Sequence, residues 1–280
     1  MDSQETMEFL RGIGAAEDED VDLAAGALAL AKLSRPDTDP EPYRNHLAAL
    51  VKDVGIAAAA TSEPLNPGIA GRIAALTAVI VDRHGYRGDR ETYDDLKNAN
   101  LMSVIDRRRG MPIAMSILFI HAARAQGWSI DGINFPGHFL LRLRHGGEAA
   151  IIDPFSEGQI RTAADLRTLI KAVRGPEAEL APGDCQPAGN KQILLRLENN
   201  IKLRLLRHER FGPAAAVVDR MLLVAPQDAE LWQEYGVLHA RIGNMRTALN
   251  ALEKSIALQQ RHERRGAAQQ LLAQLRSQMN

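Results

Sequence analysis

The chain has 280 residues, of which 45% are hydrophobic and 25% charged, and its formal charge is −1. That length suits about two domains of roughly 100–200 residues, and the composition excludes wholesale disorder or a fibrous repeat. The charge balance leaves no global footprint for nucleic acid, whose binding needs many Lys and Arg on phosphates.

Taken in chain order, the first ninety residues read as an all-helical region, 1–90. The acidic start through Glu17, Asp18, Glu19 and Asp20 reads as frayed, and the alanine- and leucine-rich stretch from Val21 to Leu33 as a helix that stops at Ser34-Arg35-Pro36. Pro36, Pro40 and Pro42 mark a loop, because proline cannot donate to a helical ladder and restricts the residue before it. Helix resumes near Tyr43, where His46, Leu47, Leu50, Val51 and Val54 give the three-and-four spacing of an apolar face. A further helix is expected from Ile69 to His84, after Pro64 and Pro67. Arg11-Gly12-Ile13-Gly14 and Gly85-Tyr86-Arg87-Gly88 lack the strand-then-helix context of a nucleotide loop and read as turns. The basic runs at Arg107, Arg108 and Arg109 and from Arg261 to Arg265 are short and flanked by acids, so they read as solvated surface.

From residue 91 to 175 the pattern changes to α+β. The helix that opens at Pro112 is apolar on almost every side until Gly127 ends it, so it must be enclosed by other elements. Ile130 to Phe135, His138 to Arg144 and Ala149 to Asp153 are candidate strands, the last two joined by a His145-Gly146-Gly147 turn. A small antiparallel sheet packed on the buried helix follows. From Gly175 to Asn190, Pro176, Pro182, Gly183, Pro187 and Gly189 make regular structure improbable and place a linker at 176–190.

Residues 191–280 are helical and carry an internal repeat. Ala214 matches Ala248, Val218 matches Leu252, Asp219 matches Glu253 and Leu222 matches Ile256, each at an offset of thirty-four. That is the tetratricopeptide period, and Trp232, Tyr235-Gly236 and Pro226 fall at its characteristic places. Two repeats are fewer than the about three that a free-standing solenoid needs, so the last helix is expected to cap them.

Three segments together resemble the SirB-type transglutaminase-like proteins: Arg109-Gly110-Met111-Pro112-Ile113, Phe135-Pro136-Gly137-His138-Phe139 and Ile152-Asp153-Pro154-Phe155. Tyr93, Asn100-Leu101 and Lys191-Gln192-Ile193-Leu194-Leu195-Arg196 extend the likeness from about Leu28 to the end. The resemblance implies a papain-like core followed by all-α tetratricopeptide helices. In active relatives a cysteine at the start of the buried helix attacks the substrate, a histidine is its base, and an aspartate orients the imidazole. His138 and Asp153 match the last two roles, whereas Pro112 stands where the nucleophile belongs, with neither a nucleophilic side chain nor an N–H. Ser103 and Ser116 have no activating neighbour in sequence, and Cys185 follows the aspartate, reversing the order of the superfamily.

The resemblance and this absence imply a non-catalytic protein-interaction or regulatory module. His138, Asp153, Arg109 and Asn100 are the candidates for holding a carboxylate or peptide carbonyl, and Arg196, Asn199, Asn200 and Lys202 on the first repeat helix are candidates for gripping a protein partner. The alternative is a hydrolase or amidase using a His138–Asp153 dyad with water or with Ser116. No His-x-x-x-His or paired-cysteine spacing supports a metal, and no cofactor, nucleic acid or membrane is expected. A single cysteine and the lack of an apolar leader or spanning stretch fit a cytoplasmic, reducing setting.

Overall fold

Capping chemistry sets the starts of the first helices. The computed structural model describes residues 2–60, 66–260 and 262–277; Pro64 and Arg261 lie outside them. The chain runs through α1 (Ser3–Ala15), α2 (Leu23–Ser34), α3 (Glu41–Ala59) and α4 (Ile69–Leu76), the last continuing into a π-helical segment, Thr77–Arg83. Asp22 starts α2 by accepting the Ala25 amide at 3.0 Å, and Pro42 occupies the first turn of α3, where a missing N–H is harmless. The start that reads as frayed is instead ordered helix. Thr6, Leu10 and Ile13 share one face of α1 and are buried.

Next come β1 (Arg87–Gly88), α5 (Leu101–Arg107), β2 (Arg109–Gly110) and α6 (Pro112–Arg124). Ten of the thirteen residues of α6 are buried, as a helix apolar on all sides requires. It is enclosed by α2, α3 and α4 and by β3 (Ser129–Ile133) and β4 (Leu140–His145). With β5 (Glu148–Asp153), β6 (Gln159–Arg161) and β7 (Pro187–Ala188), these form an antiparallel sheet of order β6-β5-β4-β3-β7. Gly146 and Gly147 both take positive φ, 56° and 86°, giving the two-residue turn whose twist matches its strands.

Three features depart from the sequence reading. β4 begins at Leu140 rather than His138, because the His138 amide closes a turn onto the Phe135 carbonyl at 3.0 Å. The amphipathic α7 (Ala163–Arg174) is present, started by a Thr162–Asp165 capping box. Its Leu166 and Ile170 pack with Ile133, Phe135 and Leu140. The segment 176–190 is not a free linker: Pro187 and Ala188 pair with Ile133 and Gly132 at the sheet edge. Asn190 then donates to the Asp18 and Val21 carbonyls and accepts from Arg124.

The chain divides into two compact units, residues 18–193 forming nearly all of one, and residues 4–17 with the segment from Leu194 onward forming the other. The cut falls within α8 (Asn190–Arg207). The second unit contains α9 (Phe211–Val224), α10 (Ala229–Arg241), α11 (Met245–Leu258) and α12 (His262–Ser277). The repeat-matched residues Ala214, Ala248, Val218 and Leu252 are all fully buried. A Cβ on Gly236 would lie 2.9 Å from Leu252 Cγ and 3.1 Å from the Ala248 carbonyl, so glycine is what lets α10 and α11 approach. At α1, a Cβ on Gly14 would meet the Leu223 carbonyl, which places the N-terminal helix hard against the end of α9. Leu272 and Leu275 of α12 cover Ala248 and Leu252, capping the second repeat.

Candidate functional site

The start of α6 is where a transglutaminase-like fold would carry its nucleophile. Met111, 1% exposed, leads into Pro112 in extended geometry without a side-chain cap. The nearest hydroxyl along the helix is spent: Ser116 is fully buried and donates to the Pro112 carbonyl at 2.8 Å. Cys185 packs against the cluster built on Phe135 and Ile170, and burial pushes its thiol up, away from the thiolate that attack requires.

Asp153 closes β5 and is 4% exposed. One carboxylate oxygen accepts the Phe155 and Ser156 amides at 3.1 and 3.2 Å, and the other accepts Arg161 Nη2 and Nε at 2.6 and 3.2 Å. Among the described residues, Asp153 makes no hydrogen bond with His138, which sits half-buried in the turn before β4. The structure therefore does not bring the two together as a dyad. Arg161 is the side-chain partner of Asp153, and Ser156 Oγ, which accepts from Arg161 and Arg90, extends this network.

The other ligand candidates serve the scaffold. Asn100 caps α5 by accepting the Ser103 amide at 3.0 Å and ties it to α2 by donating to the Ala31 carbonyl. Arg109 forms an exposed pair with Glu91 at 2.8 Å. The basic run is not plain solvated surface, however. Arg107 reaches inward to Asn98 at 3.0 Å and to Asp89, whose carboxylate is fully buried, at 2.9 Å. Burial pushes the Asp89 carboxyl up, yet hydrogen bonds from Thr92, Asn98 and Arg107 outweigh it and hold the group at about 2.

In the second unit a groove of about 540 Å³ opens between α8, α10 and α12. Leu206, Phe211, Val237 and Leu238 give it apolar lining, and Glu230, Glu234 and Arg241, with the neutral Gln233, polar and charged lining. Lys202 lines it and pairs with Glu234. Asn200 is occupied within α8, donating to the Arg196 carbonyl and accepting from Arg204; Arg196 and Asn199 are half-buried on the same helix. The sequence reading missed the α10 contribution, although the repeat offset, which fixes the α10 face, could have revealed it.

Among the described residues, no three His, Cys, Asp or Glu side chains cluster as a metal site, and no helix is long and apolar enough to cross a membrane.

Comparison with known proteins accords with this architecture. The profile of the transglutaminase-like superfamily matches residues 41–199, and a tetratricopeptide repeat profile matches residues 201–276. A UPF0162 protein of Vibrio cholerae is 32% identical over 229 residues, covering 80% of this chain and 83% of that protein. Another, from Xylella fastidiosa, is 29% identical over 259 residues and covers 88% and 87%. F-box only protein 21 of Mus musculus is 40% identical over 81 residues, 29% of this chain and 13% of its own. With a superfamily profile over most of the first unit and beyond it into α8, and four-fifths of its length shared with the Vibrio protein, the chain belongs to the transglutaminase-like superfamily and to its UPF0162 family.

Proposed function

We propose that this protein is a non-catalytic member of its superfamily, of SirB type, that acts as a protein-interaction or regulatory module. The observation that carries this reading is the state of the inherited constellation: a pyrrolidine ring at the start of α6 and an Asp153 carboxylate saturated by Arg161 and two amides. With no thiol or hydroxyl at the start of that helix, the fold offers the histidine no nucleophile of the kind active relatives use. The repeat groove, lined by both apolar and charged side chains, supports a peptide partner. One cysteine in 280 residues supports a reducing, cytoplasmic setting.

The test pairs binding with turnover. Fluorescence-labelled peptide arrays are expected to yield saturable binders of the purified chain, with Val237→Glu, which puts a charge on the groove's apolar lining, abolishing saturation. Peptide and amide substrates assayed alongside His138→Ala are expected to show no enzyme-dependent turnover. Hydrolysis lost on that substitution would overturn the proposal in favour of a His138–Asp153 hydrolase.

A further inference from the structure

A second cluster of chemistry-bearing side chains, none of them on α6, lies in a cleft of about 560 Å³ between α3, the loop before it and the end of α5. Thr38, Asp39, Tyr43, His46, Asp106 and Arg108 line it. The volume is that of a small-molecule site.

Arg108 is its unusual member. The residue follows the last turn of α5 in the left-handed region, φ 56°, a conformation that suits glycine or asparagine far better than arginine. Its carbonyl accepts the Arg87 amide as β2 begins beside β1, so the turn is needed, but an arginine side chain is not. That side chain lies over the Tyr86 ring at 4.9 Å, and its Nη1 donates to Tyr86 Oη at 2.5 Å and to His46 Nε2 at 2.6 Å. A guanidinium has only donors, so His46 Nε2 must offer its lone pair, which makes the imidazole neutral with its proton on Nδ1. Tyr86 is fully buried, and His84, itself bonded to Asp53 at 2.8 Å, sits edge-on to His46 at 5.3 Å.

The guanidinium is thus anchored by neutral groups alone, through one nitrogen. Its remaining donors, Nε and Nη2, have no protein acceptor among the described residues. Its neighbours differ: Arg107 pairs with Asp89, Arg109 with Glu91, and Arg35 with Asp106 at 2.7 Å. A fixed cation with a free, planar two-donor edge in a cleft is what a carboxylate or phosphate group fits. The remaining charges choose between them. Arg35 offsets Asp106, which also accepts from Tyr43 at 3.2 Å, leaving Asp39 as the cleft's uncompensated acid. Arg108 and Asp39 leave the cleft near neutral, so a ligand gains from one charge held at the Arg108 fork, whereas each further charge adds only repulsion from Asp39.

We propose that this cleft binds a small monocarboxylate, gripped by the Nε and Nη2 edge of Arg108 above the Tyr86 ring. The cleft shares no lining residue with the repeat groove and includes none of α6, so this proposal does not rest on whether the protein binds peptides.

The test is NMR of the full chain with labelled histidine, titrated with sodium propionate, inorganic phosphate and sodium chloride at matched ionic strength. Propionate is expected to shift the His46 imidazole signals saturably. It also raises the His46 midpoint from its unliganded value of about 4, because a bound anion offsets Arg108 while Tyr86, His84, Asp53 and Arg83 stay unchanged. Arg108→Asn keeps a residue that tolerates the left-handed turn and should weaken binding at least tenfold. Arg108→Lys keeps the charge without the fork and should weaken it severalfold, which covers the case in which the asparagine variant fails to fold. A non-saturating response, an equal response to chloride, tighter binding of phosphate, or undiminished binding in these variants overturns the assignment.

Discussion

Arg220→Met is the most exacting test of the second unit. Glu198 on α8 and Arg220 on α9 have side-chain exposures of only 3% and 14%, and Arg220 Nη2 and Nε both donate to one Glu198 oxygen, at 2.7 and 2.9 Å. Burial pushes the Glu198 carboxyl up, and Arg220 is what draws it back down. Removing the guanidinium leaves a buried, unpaired carboxylate, at a cost of about 3–5 kcal/mol. An acid whose folded pKa is raised is penalised only where it must ionise. The loss should therefore be full above the folded value of Glu198 and vanish below its ordinary 4.5. The chain has two tryptophans, so a Trp128→Phe background leaves Trp232 to report the repeats alone. With a urea slope of about 1.5 kcal/mol/M, the midpoint at pH 7.5 should fall by about 2–3 M and recover in part at pH 5. Glu198→Leu combined with Arg220→Met should regain most of the loss, since an apolar pair of similar volume replaces buried ions with little penalty. A single variant within about 0.3 M of its parent at pH 7.5, or a double variant worse than the single, would refute the reasoning.

Other outcomes follow from the same geometry. Gly236→Val must push Leu252 and the Ala248 carbonyl away and should destabilise the repeats by about 1–3 kcal/mol in calorimetry; an unchanged melting temperature would mean that α10 and α11 have room to spare. Cys185, its thiol raised mainly by burial, should react with iodoacetamide at pH 7 no faster than glutathione; rapid labelling would reveal an activated thiol. Burial first, then Arg108 and His84, hold His46 at about 4, below its ordinary 6.5. Its contribution to stability is complete above 6.5 and is lost as pH falls towards 4; an NMR midpoint near 6.5 would contradict the neutral-imidazole packing.

The α+β class, the enclosed α6, the Gly146-Gly147 turn and the repeat offset were legible because each is written in local terms, as periodicity, turn chemistry or self-similarity. The proline that opens α6 was legible as well, because the identity of a residue needs no geometry to be noticed. The two-residue β7 was not, since an edge strand held by backbone bonds leaves no trace in side-chain pattern. Nor was the order in α1, where Leu10 is buried only through tertiary packing. The partner of Asp153 was misread for a related reason: Arg161, eight residues on, reaches the carboxylate only because β5 and β6 pair.

The sequence by itself determined the kinds of elements, the thirty-four-residue spacing and the proline that opens the enclosed helix, all properties carried by single residues or short windows. Tertiary structure alone decided which charges meet. It joined Arg108 to His46 across 62 positions and Asn190 to Asp18 across 172. A side chain's ionisation and partners depend on what the fold brings within a few ångströms, and neighbouring residues in the chain do not specify that.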